Sequence, residues 1–223
     1  MLKAVVVIPA FEAQSTLRPL VEAVLAQGLA VIVVDDASQD ATGAEAKDAG
    51  AKVVRRSING GKGMALREGL FLAVQEGYPW ILTMDADGQH LPVEIPRFLE
   101  AAAQGNADLI LGNRMEDPKG MPLDRRLTNG FMSWLLSRVS GQQIPDTQCG
   151  FRLISRRVLE KVRLRTERFE IESELVVKAA WAGFRIQSIP VSSVYSNSFS
   201  FIRPLRDTIR FLRFLRSLRR DRR

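Results

Sequence analysis

The sequence has very few of the residues that build the commonest catalytic and metal sites. Cys149 is the only cysteine and His90 the only histidine among 223 residues. A single cysteine excludes an internal disulfide framework and is typical of a reducing compartment. A single histidine excludes zinc sites made of several histidines, and any Ser-His-Asp triad would have to use His90. Other side chains must therefore carry any chemistry.

Long apolar runs are also missing. No segment approaches the ~18 consecutive apolar residues of a membrane-spanning helix. The N-terminal apolar run is too short for a secretory signal peptide, and Pro9 and Glu12 interrupt it without a cleavage-like site. The sequence therefore predicts neither a spanning helix nor a signal peptide. With 46% hydrophobic and 26% charged residues, the chain is expected to be globular rather than disordered or fibrous.

The charges are distributed unevenly along the chain. Residues 1–116 contain 10 Lys and Arg against 15 Asp and Glu, whereas residues 117–223 contain 22 against 10. The last 21 residues contain nine arginines and two aspartates, a balance that equals the net charge of +7. A basic surface of this kind binds anions such as a membrane or a phosphorylated ligand. The acidic first half and the lack of a recognisable module make nucleic acid an unexpected partner.

The C-terminal segment 203–223 has an amphipathic pattern. On a helical wheel the arginines cluster on one side, and Phe and Leu side chains cluster on the other. A basic, aromatic-rich amphipathic helix is typical of a membrane interface. We assign to an anionic membrane surface Arg210, Phe211, Phe214, Leu215 and Leu218. The alternative is a helix that packs on the domain with its charges in solvent.

The chain up to residue 202 is expected to form one α/β domain. Near-continuous Val/Ile/Leu strands alternate with helix-length segments, a pattern that favours a mostly parallel sheet with helices on both faces. Ligands of such sheets bind outside the carboxyl ends of the strands. The predicted strands end in polar or irregular stretches at Pro9–Phe11, Asp35–Asp36, Asp85–Asp87 and Asn113–Arg114. These stretches are the candidate site.

Asp85 and Asp87 stand at the end of the predicted strand WILTMDAD. Two carboxylates one residue apart can coordinate a hard divalent cation, Mg²⁺ or Mn²⁺, and leave positions open for phosphate oxygens. Gln89 and His90 are close enough in sequence to add a neutral ligand or an outer contact. The alternative is that the acids cap the helix after Pro92. Because burying unused carboxylates at the end of a core strand is costly, we predict the metal site.

Asp35 and Asp36 end another predicted strand, AVIVVDD. A carboxylate at a sheet edge can accept hydrogen bonds from a nucleobase or a ribose. The alternative is that this stretch only caps the helix at 42–49, through Ser38 or Asp40. Two successive acids exceed what a cap needs, and a role in nucleotide binding is predicted.

A glycine-rich stretch, NGGKG, precedes the predicted helix that begins at about Gly61. Its spacing matches neither the P-loop nor the G-x-G-x-x-G motif. The first N–H groups of the helix could bind a phosphate, with Lys62 beside them. We assign Lys62 to the nucleotide ligand, although a purely structural turn fits these residues equally well.

Arginines in the middle of the chain complement the acids. Arg114 follows a predicted strand, Arg125 and Arg126 lie near the start of an apolar helix, and Arg152 follows the stretch CGF. Surface arginines are usually only solvated. Arginines opposite a metal site, however, suit a second, phosphate-bearing partner.

Taken together and in order, these motifs resemble the family-two glycosyltransferases, and more narrowly the dolichyl-phosphate mannose synthase-like branch. The residues that carry the resemblance extend from about 3 to 206 and are VVVIPAFEA, VVDDASQDAT, NGGKGMALREG, LTMDADGQH, LGNR, DTQCGFR and FEIESELVVKAAWAGFRIQSIPV. The resemblance implies a GT-A fold. It also implies an inverting, metal-dependent transfer of a sugar from GDP-mannose or a UDP-hexose to a polyprenyl phosphate on the cytoplasmic face of a membrane.

The resemblance also implies roles for individual residues. Pro9 and Phe11 would pack on the base and ribose, and Asp36 would contact the nucleoside. Asp85, Ala86 and Asp87 would bind the donor's diphosphate. The metal ligands would be Asp85, Asp87 and Gln89, and the catalytic residues Asp87 and Arg114. Arg125 and Asn129 would bind the acceptor phosphate.

The sequence departs from the family pattern in two places. Phe11, Glu12 and Ala13 replace the usual Tyr-Asn-Glu, which leaves the base open between guanine and uracil. The family's basic pair before the C-terminal segment does not align, and Arg203 or Arg206 is the candidate replacement. Alternative functions are transfer to another lipid or to a sugar hydroxyl, with Asp146 as the candidate base. A non-catalytic nucleotide-sugar or membrane-binding module is a further alternative.

Overall fold

The computed structural model describes residues 2–118, 120–166, 168, 170–192, 214 and 218. The strands within these residues are β1 (Ala4–Ala10), β2 (Ala30–Asp35), β3 (Lys52–Arg55), β4 (Trp80–Thr83), β5 (Leu109–Asn113), β6 (Arg152–Ser155) and β7 (Ile186–Pro190). The helices are α1 (Gln14–Leu25), α2 (Thr42–Asp48), α3 (Lys62–Gln75), α4 (Ile95–Ala103), α5 (Leu123–Ser140), α6 (Arg156–Lys161) and α7 (Glu170–Trp181). A 3₁₀ turn over Pro92–Glu94 precedes α4.

The strands form one seven-stranded sheet in the order β3-β2-β1-β4-β6-β5-β7. All neighbouring pairs are parallel except those of β6, which runs antiparallel to both β4 and β5. The predicted mostly parallel sheet is therefore confirmed. Strand β6 lies between β4 and β5, and this insertion helps to position the candidate site. Arg152 at the start of β6 pairs with Thr83 and Leu111, near the carboxyl ends of β4 and β5. The loop before β6 thus reaches the edge where the candidate residues lie.

Alternation along the central strands produces a core on both faces of the sheet. Val6 and Ile8 of β1 are buried in one cluster, together with residues of α1 and α4. Val5 and Val7 are buried in the other, against α3 and α7. A strand buried on both faces reads as a continuous apolar run, which explains the uninterrupted sequence of β1.

Strand β4 is shorter than the sequence suggested. After Thr83 a last backbone bond, from the Met84 N–H to the Val7 carbonyl, measures 3.1 Å, and the chain then leaves the sheet. Asp85 and Asp87 therefore lie in a turn beyond the strand rather than within it. Because they lie outside the strand, their side chains do not have to alternate between the two faces of the sheet. Both residues lie at its carboxyl edge.

Two residues of the C-terminal segment lie within the described part of the chain. Phe214 and Leu218 are helical and buried, in one cluster with Leu136 of α5 and Val177 of α7. This placement differs from the membrane contact expected for these two side chains and matches the alternative of a helix that packs on the domain. The other residues assigned to the membrane, Arg210, Phe211 and Leu215, lie outside the described residues.

Candidate active site

Asp85 lies just past β4 among cationic side chains. Its Oδ1 is 2.6 Å from the Nζ of Lys62, the first residue of α3. Burial raises the pKa of Asp85, but the nearby positive charges, that of Lys62 first and that of Arg114 after it, lower it by more, so that the pKa is about 2. The carboxylate is therefore ionised at neutral pH, the form that binds a metal ion.

The loop before β6 packs directly on this carboxylate. A Cβ added at Gly150 would lie 2.8 Å from Oδ2 and 2.9 Å from Oδ1 of Asp85. The Thr83 hydroxyl donates to the Gly150 carbonyl at 2.7 Å and fixes this approach. Only glycine allows the backbone to come so close to the acid without displacing it.

The turn from Asp85 to His90 is held from both sides. The Thr16 hydroxyl donates to the Ala86 carbonyl at 2.6 Å, and the Asp85 N–H donates to Nδ1 of His90 at 3.2 Å. Oδ1 of Asp87 accepts the Gln89 N–H at 3.0 Å, while the Asp87 side chain remains exposed. The turn thus exposes Asp87 to solvent, two residues after Asp85.

His90 supports this turn from the inside. Its ring is buried and stacks on Phe151, with 5.2 Å between the ring centroids. Burial lowers the pKa of His90, which favours the neutral imidazole that accepts the Asp85 N–H. His90 therefore contacts the backbone of Asp85, and its role at a metal ion stays a prediction.

Arg114 follows β5 and is held by Asp146 of the loop before β6. Its Nε and Nη2 donate to the two Asp146 carboxylate oxygens at 2.8 and 3.1 Å, and its backbone N–H donates at 3.1 Å. The Asp146 side chain is fully buried. A bidentate pair of this kind fixes the guanidinium plane. Asp146 thus orients Arg114, and it is poorly placed to act as a base for a hydroxyl acceptor.

Asp36 has a structural role that the sequence did not reveal. Its carboxylate accepts the N–H groups of Gly60 and Gly61 at 3.0 and 2.6 Å, and it also pairs with Arg56. Only 2% of the residue is exposed. These bonds anchor the glycine-rich stretch and hence the position of Lys62 at the start of α3. The carboxylate assigned to the nucleoside is therefore heavily engaged with its own chain.

Pro9 and Phe11 are placed differently from each other. Pro9 is buried inside β1, opposite Val34 of β2. Phe11 follows the strand and is 51% exposed, so its ring is available to a ligand at the carboxyl edge. Of the two residues assigned to the base and ribose, Phe11 has the accessible surface.

Arg125 and Asn129 lie one turn apart on α5 and are half-buried. The helix is bonded to the loop before β6 and lies beside the segment after β5. The Thr147 N–H, next to Asp146, donates to the Ser133 hydroxyl at 2.9 Å. A Cβ added at Gly130 would lie 3.9 Å from Cε of Met115, the residue after Arg114. The segments that carry Arg114 and the acceptor candidates are thus neighbours.

The outer face of α5 carries an exposed apolar stripe. It consists of Leu123, Leu127, Phe131 and Trp134, which are 69%, 66%, 59% and 53% exposed. At 100° per residue these positions fall within about 80° of one another. The Arg138 guanidinium lies 5.1 Å from the centroid of the Trp134 ring and extends the stripe with a cation.

Two residues of the site emerge only from the structure. The sequence did not point to Glu172, and it indicated Arg152 only as one of several arginines. Glu172 of α7 is 8% exposed, and its Oε1 is 2.9 Å from Nζ of Lys62. Arg152 is 1% exposed and donates to the carbonyls of Thr147, Cys149 and Glu172. Arg152 therefore joins the loop before β6 to α7. No local signal distinguished Glu172 from the other acids of its helix.

The donor set suits a hard divalent cation. Among the residues that the structure describes, no three or more His, Cys, Asp or Glu side chains form a metal-binding group. Asp85 and Asp87 offer two carboxylates next to cationic side chains that suit phosphate oxygens. Mg²⁺ and Mn²⁺ are bound in this way, by one or two carboxylates with substrate phosphates completing the shell. The residues present therefore fit such an ion.

Comparison with known proteins identifies relatives along most of the chain. The undecaprenyl-phosphate mannosyltransferase of Micrococcus luteus is 31% identical over 176 residues, which are 74% of this chain and 71% of that protein. The polyprenol monophosphomannose synthase of Mycolicibacterium smegmatis is 31% identical over 205 residues, which are 85% of this chain and 77% of that protein. Both names describe transferases, in agreement with the prediction of an enzyme.

A solved structure shares the fold. The glucosyl-3-phosphoglycerate synthase from Mycobacterium tuberculosis, crystallised with Mn²⁺, UDP and glucosyl-3-phosphoglycerate, superimposes with a TM-score of 0.71 at 19% identity. The match covers 92% of this chain and 74% of that one. The predicted GT-A fold is thereby confirmed. Because the family model described as glycosyl transferase family 2 matches residues 5–163, most of the described domain, the chain belongs to that family.

Proposed function

We propose that the protein transfers a sugar from a nucleoside-diphosphate sugar to a polyprenyl phosphate, with inversion and with the help of a divalent cation. The observation that carries the proposal is the grouping of Asp85 with Lys62 and within electrostatic range of Arg114 at the carboxyl edge of the sheet. This arrangement offers carboxylates to a cation and cations to phosphates. The names of the M. luteus and M. smegmatis relatives supply the acceptor class.

On the donor side, we assign residues to the cation, to the diphosphate and to the base or ribose. Asp85 and Asp87 would hold the cation, with Gln89 beside them. When bound, the cation neutralises the diphosphate and stabilises it as a leaving group. Lys62 and Arg114 add positive charge where the leaving group develops negative charge. Phe11 gives the base or ribose an exposed aromatic surface, and Asp36 fixes the segment that positions Lys62.

On the acceptor side, Arg125 and Asn129 of α5 would bind the phosphate of the lipid. A phosphate monoester is already an anion at neutral pH, so its attack on the sugar needs no dedicated base. Asp146, the base candidate for a hydroxyl acceptor, is buried and accepts two guanidinium N–H groups of Arg114. This engagement favours a phosphate over a hydroxyl as the nucleophile.

The same proposal places the protein on the cytoplasmic face of a membrane. The described residues include no helix with the length and apolarity needed to cross a bilayer. The exposed stripe of α5, from Leu123 to Trp134, is flanked by Arg126 and Arg138, a combination that suits anionic lipid. Because α5 also carries Arg125 and Asn129, contact of this stripe with lipid would bring the acceptor phosphate to the site.

The proposed reaction is tested by a transfer assay with a panel of labelled GDP- and UDP-sugars and polyprenyl phosphate. The assay starts with Mn²⁺, since the tuberculosis synthase of the same fold was crystallised with that ion, and is repeated with Mg²⁺. We expect label from one donor in the organic phase, and loss of this label with EDTA. Binding of nucleotide without organic-phase label from any donor would contradict the lipid-phosphate acceptor.

The membrane contact is tested by sedimentation with vesicles of phosphatidylcholine and phosphatidylglycerol. Replacement of Leu127 and Phe131 by Glu in one variant should weaken binding by about tenfold or more, because it removes apolar area and adds negative charge. The matched control is Phe71→Glu, at a Phe of α3 that is 62% exposed. Equal binding by the α5 variant and the wild type would contradict the assignment.

A further inference from the structure

Lys62 lies between two carboxylates from different parts of the fold. Its Nζ is 2.6 Å from Oδ1 of Asp85 beyond β4 and 2.9 Å from Oε1 of Glu172 on α7. Asp36 helps to fix the position of Lys62, because its carboxylate accepts the N–H groups of Gly60 and Gly61, the two residues before the lysine. Lys62 is thus held at the acid that is assigned to the cation.

This contact has opposite consequences for a cation and for a diphosphate. A divalent cation on Asp85 would lie within about 5 Å of the ammonium group, a distance at which like charges repel substantially in a partly buried site. The anionic diphosphate of a donor would be attracted by both the ammonium and the cation. The ammonium therefore opposes the cation alone and favours the cation together with the diphosphate.

Glu172 explains how Lys62 can remain in place when a cation comes to Asp85. It is 8% exposed, its backbone carbonyl accepts a hydrogen bond from the buried Arg152 at 2.5 Å, and its Oε2 lies 3.9 Å from Nη2 of the same arginine. Arg152 therefore supports both the backbone and the carboxylate of Glu172, which gives the ammonium a second acceptor. A lysine held by only one acid would be displaced from the site by competition for that acid.

We propose that Lys62, held by Glu172, makes binding of the divalent cation depend on the nucleotide donor. Lys62 is in this sense a positioning residue that acts through Asp85. The inference deepens the proposed function and rests on its metal site. It assigns to the enzyme a coupling in which the cation binds weakly by itself and more tightly together with a nucleoside diphosphate.

The test measures Mn²⁺ binding from the electron paramagnetic resonance signal of the free ion, with and without UDP or GDP. Wild-type protein should bind Mn²⁺ at least about tenfold more tightly with the matching nucleotide. Lys62→Met should bind Mn²⁺ alone about fivefold more tightly than the wild type, because the repulsive charge is gone. The same variant should lose most of the tightening by nucleotide. A merely structural lysine would not produce this gain in affinity.

The control is Lys52→Met, which removes a lysine whose Nζ is 2.6 Å from Oε1 of Glu76 on the exposed surface. It should leave Mn²⁺ binding unchanged. If Lys62→Met does not fold, as judged by circular dichroism, Glu172→Gln carries the test. It removes a negative charge and leaves the ammonium to Asp85, so Mn²⁺ alone should bind at least about twofold more weakly.

Unchanged or weaker Mn²⁺ binding by folded Lys62→Met would overturn the inference and leave the proposed transfer reaction standing. Unchanged or tighter binding by Glu172→Gln would overturn it as well. If neither the wild type nor any of the variants binds Mn²⁺, with or without nucleotide, the metal site of the proposed function is contradicted, and the inference fails with it. Transfer is measured separately, so these results are distinguishable.

Discussion

The two acid pairs at the carboxyl edge of the sheet have similar sequences and opposite environments. Asp35 ends β2, Asp36 follows it, and the two are 0% and 2% exposed. Their oxygens accept backbone N–H groups of Ser38, Gly60 and Gly61. Asp85 and Asp87 follow β4 in a turn, where the first faces Lys62 and the second is exposed.

The difference lies in which groups satisfy the carboxylates. Asp36, whose two oxygens accept backbone N–H groups, stabilises the fold and has little capacity left for a ligand. In Asp35 only Oδ1 is used in this way, and the buried Oδ2 has no hydrogen-bond partner among the described residues. An acid that is exposed, like Asp87, or that lies against a cationic side chain, like Asp85, keeps oxygens that can bind a metal ion. Position at a sheet edge therefore does not by itself leave the oxygens of an acid open to a ligand.

The largest expected effect concerns Asp87, the exposed acid of the pair that follows β4. Asp87→Asn keeps the shape of the side chain but removes the charge of the proposed metal ligand, so transfer should fall by at least about 100-fold. The free energy of unfolding should stay within about 0.5 kcal/mol of the wild type, because the side chain is exposed. Transfer kinetics and urea unfolding measure the two quantities. Full activity of the variant would remove Asp87 from the catalytic residues.

The buried pair should respond in the opposite way. Asp36→Ala leaves two glycine N–H groups without their acceptor and Arg56 with Glu68 as its remaining acid, and should lower the free energy of unfolding by about 2–3 kcal/mol. Urea unfolding at neutral pH measures this loss. A variant as stable as the wild type would show that the carboxylate is available for a nucleoside, as the sequence suggested.

Two glycines sharpen the comparison, because one lies against an acid of the first pair and the other against an acid of the second. A Cβ at Gly43 would lie 2.8 Å from Oδ2 of buried Asp35, and one at Gly150 would lie 2.8 Å from Oδ2 of Asp85. Gly43→Ala should cost about 1–3 kcal/mol of stability, because Asp35 has no room to move. Gly150→Ala should cost less than about 1 kcal/mol, because Asp85 can shift, but transfer should fall about tenfold through the misplaced ligand.

Unfolding and transfer measurements on both alanine variants separate these outcomes. Equal loss of stability in the two variants would contradict the distinction between a fixed and a movable carboxylate.

A further prediction concerns the pH dependence of stability at Asp85. Its pKa is about 2 in the fold, below the ordinary value of 3.8. A lowered pKa contributes stability that is fully present above pH 3.8 and is lost as the pH falls toward 2. Urea unfolding of the wild type and of Asp85→Asn should therefore differ most above this window and converge below it. A constant difference across the window would contradict the shift.

Much of the fold followed from the sequence. Each strand predicted in the first half is present, with ends that moved by a few residues, because continuous Val/Ile/Leu runs are characteristic of strands buried on both faces. The antiparallel insertion of β6 was not predicted. Strand direction depends on the route of the connecting chain, and RLIS carries no signal of its neighbours.

The site was predicted in part. Asp85, Asp87 and Arg114 lie at the predicted edge, and their roles remain predictions. Glu172, the bracing of Arg114 by Asp146 and the anchoring role of Asp36 were missed, because each depends on contacts between distant segments. The tail was assigned to the membrane from its amphipathic pattern, yet the same pattern suits packing on a domain. Burial of Phe214 and Leu218 follows from the surface that α5 and α7 offer.

The sequence by itself determined the family, the mostly parallel sheet and the strand ends at which acids and arginines collect. These properties are local, since they depend on apolar periodicity and on short motifs that keep their order along the chain. Only the tertiary structure decided which acid pair is used by the backbone, which cation meets Asp85, and that α5 carries an exposed apolar face. Such pairings depend on which segments fold side by side, and a linear pattern does not specify the partners of a side chain.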